Sequence, residues 1–590
     1  MKPPAGGFWN STMKEYIQDL LRTCIKEIDS AHEVPQELLS KIRIDRAKDR
    51  AHGDFATNAA LILAKPLHRK PADVAAAIAA RIPSSDRISR VEVAGPGFIN
   101  FFVNQDEVAG QLARMASDPR LGVPVKQDPQ VVVVDYSAPN VAKEMAVHHL
   151  RSTVIGDAIV RVLEFEGDHV IRANHIGDWG TQFGMLIAYL EKKENEQGAG
   201  MDLSDFEAFY REAKQCYDED PEFAEKARHY VVLLQGGDEY CRRMWRKLVT
   251  MTMDQNQKLY DRLDVTLTPR DIMGESLYND MLPGLVDDLM KKGIAVEDQG
   301  AVVVYLPEFK NKDGAPLGNI IRKKDGGYLY NTTDIACIKY RVDKLHAQRI
   351  LYFTDSRQHQ HHEVVWEIAK KAGYVPDGVT YEHCQFGMML GKDGRPFKTR
   401  DGGTVKLRDL LDEAESHVEK LLEERGSALE GEERRKVIHN IAIGAVKYAD
   451  LSKNRNTDYI FDWDQMLSFE GNTAPYLQYA YSRIRAIFRK AGDEPGEIAI
   501  GNEAEQALAA KLLGFAEAVR QTGDKCLPNL LCTYLYELAG IYMRFYEACP
   551  VLKDGVDEKT RRSRLALCGL TARVLKQGLG LLGINVMEQM

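Results

Sequence analysis

The chain has 590 residues, 44% hydrophobic and 28% charged, and its 78 basic and 87 acidic side chains leave a formal charge of −9. One hydrophobic core does not serve a chain of this length, so roughly three or four domains are expected. The acidic balance argues against a sequence-independent DNA binder, but permits a local basic surface for a folded RNA.

Residues 1–12, with Pro3, Pro4, Gly6 and Gly7, read as a disordered extension ahead of a helix starting near Met13. Residues 1–125 form the first expected domain, an α+β module. Helical patterns run through Tyr16, Leu20, Leu21 and Ile25, then 59–64 and 74–82. A strand pair follows at 91–93 and 98–103, broken by Ala94-Gly-Pro-Gly97, and mixed charged segments fill 104–130. From 131, strands at 131–136, 168–173, 301–306, 348–354 and 379–387 alternate with helices, the pattern of a doubly wound parallel sheet. This second domain spans 126–455, with a charged helical insertion at about 188–300. The strand signal fades near 430, and 456–590 reads as an all-helical domain with patterns at Tyr476–Arg485 and Leu530–Ala539.

The nine cysteines are scattered and none forms a Cys-x-x-Cys pair, so neither a zinc knuckle nor a disulfide framework is suggested. Reduced thiols in the cytoplasm fit best. With no charged-then-apolar leader and no apolar run of about 18 residues, neither secretion nor membrane spanning is expected.

Five stretches carry chemistry. Asp135-Tyr-Ser-Ala-Pro-Asn-Val-Ala-Lys-Glu-Met-Ala-Val-His-His-Leu150 follows the apolar strand Val131–Val134 and opens a helix. Strand, loop and helix N-terminus present free backbone N–H groups to an anion, although the arrangement alone is common. Ile171-Arg-Ala-Asn-His-Ile-Gly-Asp-Trp-Gly180 is a glycine-rich turn after a strand, suited to close approach of a ligand or a facing loop. In Gly326–Ala336, Tyr330 and Asp334 stand four apart and so share one helix face. The nearby Asp355–His361 segment supplies Gln358. His359, His361 and His362 lack a paired carboxylate or cysteine spacing, so hydrogen-bonded histidines are expected there and no metal site. Phe386–Gly403 is a glycine loop with lysines, suited to clamping phosphate. Ala445–Arg455 with Phe461–Asp464 leads into the helical domain.

Together these stretches closely resemble the bacterial-type arginyl-tRNA synthetases, class I aminoacyl-tRNA ligases, and the likeness covers about 13–590. It implies a Rossmann-like catalytic domain between an N-terminal domain that reads the tRNA elbow and a helical anticodon-binding domain. It implies ATP-dependent activation of L-arginine, with Mg2+, and transfer to the 2′-hydroxyl of the terminal adenosine of tRNA(Arg). The positions matching the family's amino-acid pocket are Asn140, Glu275, Tyr330, Asp334 and Gln358. A guanidinium there needs a carboxylate in fork geometry and neutral acceptors to reject lysine. ATP falls to Ala138, Pro139, His148, His149, Met388 and Met389, and phosphate stabilisation to Lys143, His149, Lys392 and Lys398. The Lys-Met-Ser-Lys-type loop is the divergent Phe397-Lys-Thr-Arg400, and in that subset the lysine at position 143 replaces the missing charge. For tRNA the resemblance points to Phe98, Asn100, Tyr476, Tyr479 and Arg483, aromatic and basic groups able to stack on RNA. A monomer is expected, with neither DNA nor membrane as partner.

The chain departs from the family at one place. Where the pattern is His-x-Gly-His, positions 146–149 read Ala146, Val147, His148 and His149. One stabilising donor is lost, a change that typically costs about 3–4 kcal/mol in the transition state. An imidazole also stands where glycine lets adenine approach the backbone, and it obstructs the base unless the helix start moves or the ring stacks beside it. Three readings stay open: a ligase with a weakened or rearranged site, a paralogue that keeps arginine or tRNA recognition without catalysis, and an altered copy of an ordinary enzyme.

Overall fold

The computed structural model describes residues 13–28, 35–47, 52–197, 206–310, 314–397, 405–427, 429–492 and 494–590. The chain divides into two compact units. One comprises the residues up to Gly122 with Ala491–Gly514 and Ile541–Thr571; the other comprises Val123–Lys490, Phe515–Gly540 and Ala572–Met590.

In the first unit, β1 (Ile44–Arg46), β2 (Phe55–Thr57), β3 (Ile88–Ala94) and β4 (Phe98–Val103) form an antiparallel sheet ordered β1-β2-β4-β3. Helices Met13–Ile28, Ala59–Leu63 and Pro71–Ala79 accompany it, and their apolar positions Ile17, Leu21, Leu63, Val74 and Ile78 are buried with Ile99 and Phe101. The charged segment after β4 is partly a helix, Gln105–Ser117, which sequence reading passed over. Asn104 caps it by accepting the Asp106 N–H at 3.0 Å, and Val108, Leu112 and Met115 are its buried stripe.

The second unit holds β5 (Val131–Asp135), β6 (His169–Ala173), β7 (Ala295–Asp298), β8 (Ala301–Lys310), β9 (Pro316–Arg322), β10 (Arg349–Tyr352), β11 (Thr380–His383), β12 (Met389–Leu390) and β13 (Tyr459–Ile460). Its main sheet runs β11-β10-β5-β6, all parallel. The chain moves from β5 to β6 on one side and later returns to β10 on the other. The order therefore reverses at β5, and ligand crevices of such sheets open at the carboxyl ends of the strands flanking that reversal.

The strand expected at 301–306 does not belong to this sheet. It is β8, the centre of a separate antiparallel sheet β7-β8-β9. Only Gln299 and Gly300 separate β7 from β8, with φ of 50° and 83°. A two-residue turn with both residues left-handed forces a hairpin, and a parallel pairing needs a longer crossover.

Helix Val147–Glu166 is buried on nearly every side. Gly156 lets it lie on Tyr136, because a Cβ there would strike the ring. Helix Gly431–Leu451 joins it through Asp450, which pairs with the buried Arg151 at 3.1 Å. Helices Gln182–Gln197, Phe206–Glu219, Pro221–Gly236 and Glu239–Arg262 occupy the charged stretch between β6 and β7. Gly156→Ala is expected to destabilise the second unit by about 1–3 kcal/mol, the usual cost of overpacking a tight contact. The readout is the urea midpoint of unfolding, and an unshifted midpoint would contradict the packing.

Candidate active site

The loop after β5 is held in an unfavourable backbone. Ser137, Ala138 and Ala142 have φ of 73°, 48° and 59°, a conformation that costs non-glycine residues on the order of 1–3 kcal/mol each and needs support from outside. The Ser137 N–H donates to Ser152 Oγ at 2.9 Å, the Ala138 N–H to Asn174 Oδ1 at 3.1 Å, and the Ala142 N–H to Thr252 Oγ1 at 3.0 Å. The Ser137 and Tyr260 hydroxyls lie 2.8 Å apart. On the facing turn, Gly177 N–H donates to the Pro139 carbonyl and Val141 N–H to the Gly177 carbonyl, both at 3.1 Å. A side chain at Gly177 would meet Asn140 Oδ1, so the glycine serves the close approach of two loops. Asn140 itself is exposed, Ala138 half-buried and Pro139 buried.

The start of helix Val147–Glu166 is tied down twice. Ala146 is extended (φ −107°, ψ 169°), and its N–H donates to His149 Nδ1 at 3.0 Å. Val147 N–H donates to the Val405 carbonyl at 3.1 Å and Leu407 N–H to the Met145 carbonyl at 2.9 Å, so Ala146 pairs antiparallel with Lys406. Because Nδ1 accepts, the His149 proton sits on Nε2, available as a donor. Burial, aided by the neighbouring His148, pushes the His149 imidazole down to about 3. The exposed His148 ring lies beside it, 4.0 Å between centroids at 38°. Partial desolvation by its neighbours, ahead of the Arg357 guanidinium, lowers His148 as well although the ring keeps a solvent-exposed edge.

Across the crevice, helix Tyr330–Asp343 presents two of the expected residues on one face. His361 Nε2 lies 2.6 Å from an Asp334 carboxylate oxygen, and the Tyr330 ring is 5.0 Å from the His361 ring. Glu275 opens a short turn whose N–H donates to the Ile176 carbonyl at 3.1 Å. Asp178 accepts from the Ser276 N–H and hydroxyl at 2.8 and 2.6 Å. Burial pushes the Glu275 carboxyl up to about 7, with Asp334 and Asp178 adding to the rise and His175 opposing it. A carboxyl raised by burial with a second carboxylate near it is a ready place for a cation. Gln358 is exposed ahead of helix His359–Lys371. His362 is hydrogen-bonded, 2.8 Å from Thr354 Oγ1 and 2.5 Å from the Tyr381 hydroxyl. His361 and His362 are thus both hydrogen-bonded.

Behind Glu275 lies a buried group to which sequence reading assigned no role. Arg341 pairs with Asp135, and His175 Nδ1 lies 3.6 Å from the same carboxylate oxygen. Burial opposes both charges, yet Cys337 and Asp135 raise His175 well above its ordinary value. Likewise Arg341 and His175 keep Asp135 below its own. The supports of the strained loop were missed too: Tyr260 and Thr252 come from a helix more than 100 residues further along, with no local signal to connect them.

The remaining residues are more dispersed. Met389 lies in β12, paired with Tyr459, while Met388 is exposed and its N–H donates to Asp458 Oδ1 at 2.6 Å. Lys392 is held by Asp462 at 3.2 Å and Asp464 at 3.6 Å. The exposed Lys143 ammonium stands 5.0 Å from the Tyr210 ring. Lys398 lies outside the described residues. Phe98 is exposed at the start of β4, whereas Asn100 is 4% exposed. On helix Ala474–Ala491, Tyr479 and Arg483 are exposed together with the guanidinium 5.7 Å from the ring; Tyr476 is half-buried against Tyr536.

Comparison with known proteins covers nearly all of the chain. Residues 13–103 match the arginyl tRNA synthetase N terminal domain, 112–463 the class I (R) tRNA synthetase catalytic domain, and 477–590 the DALR anticodon binding domain. The arginine–tRNA ligase of Mannheimia succiniciproducens is 60% identical over 543 residues, 91% of this chain and 94% of that protein. That of Pectobacterium carotovorum is 55% identical over 579 residues, 97% of this chain and 100% of the relative. The crystal structure of arginyl-tRNA synthetase from Plasmodium falciparum superposes with a TM-score of 0.83 at 28% identity, covering 98% of this chain and 99% of that one.

With Nδ1 occupied by a backbone N–H, His149 is expected to stay neutral and protonated on Nε2 from about pH 5 to 8. Nitrogen chemical shifts of 15N-histidine-labelled protein test this. Titration near the ordinary value of about 6.5 would contradict the cap.

Proposed function

The chain belongs to the arginyl-tRNA synthetases, and on that premise we propose that it activates L-arginine with ATP and transfers it to the 2′-hydroxyl of the terminal adenosine of tRNA(Arg). The observation that carries this reading is the convergence of Glu275 and Asp334, each held by its own neighbours, beside a helix N-terminus and a strained loop. The guanidinium of arginine supplies the positive charge this pair calls for, in a geometry that a carboxylate matches with two parallel hydrogen bonds. Tyr330, Gln358 and Asn140 complete the amino-acid contacts.

The arginine carboxylate attacks the α-phosphorus of ATP, the bond to the β-phosphate breaks, and pyrophosphate leaves with the electron pair. The terminal 2′-hydroxyl then attacks the arginyl carbonyl and AMP departs. The protein does little covalent work in either step. It positions the reactants and stabilises charge that develops on phosphate oxygens. His149, neutral and donating from Nε2, serves one such oxygen. Ala138, Pro139, Met388 and Met389 line the nucleotide, and Lys143, Lys392 and Lys398 contribute positive charge. Mg2+ enters on the ATP phosphates. Among the described residues, the one group with metal-ligand spacing, Glu382 with Cys384 and Cys526, is separate from these residues, so no step is assigned to a protein-held ion. Phe98, with Asn100 bracing its strand, and Tyr476, Tyr479 and Arg483 contact tRNA. The reading takes the protein as a monomer. Among the described residues no helix is long and apolar enough to cross a membrane, and the reading places the work in the cytoplasm.

The altered helix start gives a second reading its basis: Ala146 offers no side-chain donor where the family has histidine, and His148 replaces the glycine. We read the outward His148 ring, packed on His149, as leaving the adenine site open, so that the ligase is weakened but active. Restoring the pattern with Ala146→His and His148→Gly together should raise kcat/KM for arginylation by about 10²–10³. No gain would mean that these residues do not limit the rate.

Asp334→Ala should abolish arginine binding in calorimetry while leaving the fold and tRNA affinity nearly unchanged; surviving arginine affinity would refute the pocket. The cation also favours ionised Glu275, whose carboxyl titrates near 7. Below that value the pocket carries a proton that arginine must displace. Affinity for arginine should therefore rise about tenfold from about pH 6 to 8, and a flat profile would remove Glu275 from the site.

A further inference from the structure

Away from the active site, two cysteines distant in sequence meet under the surface of the second unit. Cys384 follows the carboxyl end of β11, and Cys526 sits in the turn between helices Phe515–Lys525 and Pro528–Ala548. They are 1% and 0% exposed, and their sulfurs lie within 4.8 Å of each other and of the Glu382 carboxylate. Such a trio can resemble a soft-metal site, but the charge here is already answered. Arg349 holds both Glu382 oxygens, at 2.7 and 3.2 Å, and its Nη2 is 3.4 Å from Cys526 Sγ. A guanidinium within hydrogen-bonding reach of the sulfur opposes a second cation and favours a thiolate.

We propose that Cys384 and Cys526 form a reversible disulfide under peroxide, and that this bond slows aminoacylation. The pair has the asymmetry such chemistry needs. The Cys384 S–H bonded to Cys526, together with Arg349, lowers the Cys526 thiol in spite of burial, while the same bond and burial push Cys384 up. Cys526 is the attacking sulfur and Cys384 the resolving one. The Cys526 thiolate attacks one peroxide oxygen, the O–O bond breaks, and hydroxide leaves and takes a proton. Cys526 is then a sulfenic acid. The Cys384 sulfur attacks it, losing its own proton, and the second oxygen leaves as water. In sum, two thiols and one hydrogen peroxide give one disulfide and two waters. Access comes through the turn: Asp524 and Lys525, just ahead of Cys526, are exposed, and Cys526 is itself left-handed at φ 51°.

The bond has a route to the active site. Arg455 donates to the Cys526 carbonyl at 2.9 Å and to the Gln385 carbonyl at 2.6 Å. Gln385 leads into Met388 and Met389, and the carbonyls of Arg455 and Thr457 accept from Arg151 on the helix that begins at Val147. Drawing the sulfurs to about 2.05 Å shifts the turn toward β11 and disturbs both ends of this bridge.

The full-length reduced protein is treated with hydrogen peroxide, remaining thiols are alkylated, and unreduced peptides are mapped by mass spectrometry beside tRNA charging. The expected result is one peptide pair linked through Cys384 and Cys526, with charging reduced roughly tenfold to a hundredfold, the scale on which a displacement of about 1 Å costs rate. Dithiothreitol restores it, and Cys384→Ala and Cys526→Ala each keep their rate under peroxide. Should one variant fail to fold, by its melting curve, the other decides. Both thiols still alkylatable, a link without loss of charging, or equal loss in the variants would each overturn the proposal. The peptide map needs no ligase activity, so failure of the functional reading is seen separately, as absence of charging before any oxidant.

Discussion

A single buried carboxylate organises the crevice. Asp135 ends β5, and from there the strained loop and the helix start follow in sequence. Its ion pair with Arg341 fixes helix Tyr330–Asp343, which carries Tyr330 and Asp334. Its contact with His175 fixes the turn whose Asp178 and Ile176 hold Glu275 in place. The two sides of the crevice thus share one anchor. Removing one partner of a buried pair leaves an uncompensated charge, typically a loss of about 3–5 kcal/mol, so these side chains are fixed more firmly than loop residues usually are.

That anchoring bears on the altered helix start. The segment 145–147 is stitched to 405–407 by backbone hydrogen bonds, which do not depend on side-chain identity. Alanine at 146 therefore keeps the strand-like entry to the helix, and His149 supplies the cap that a side chain at 146 would otherwise share. What changes is chemistry at the surface of the crevice: one imidazole fewer at 146 and one more at 148. The same stitching joins the helix start to the base of the lysine-bearing loop, so the two elements are mechanically linked.

Much of this was legible in the sequence because it is local. The apolar run Val131–Val134 and the periodic helix after it gave the strand–loop–helix unit, and the four-residue spacing of Tyr330 and Asp334 gave their common face, on which His361 lies. What was not legible is non-local or depends on backbone sign. Nothing in the composition of 301–306 separates a hairpin strand from a parallel one; the difference lies in the left-handed Gln299 and Gly300. Asn100, which the resemblance set beside Phe98 as an RNA contact, is buried on β4 although it shares the alternation of exposed Phe98, and no local pattern announced that burial. Tyr260 under Ser137, and Cys526 against Cys384, are joined only by the fold.

The most direct test of the central claim is arginylation of tRNA(Arg) by the unaltered chain, with radiolabelled arginine and ATP titrated by calorimetry in parallel. Charging above background together with measurable ATP binding is the predicted result. Arginine and tRNA binding without either ATP binding or charging would contradict it, and would make this chain a binding protein whose nucleotide site His148 closes.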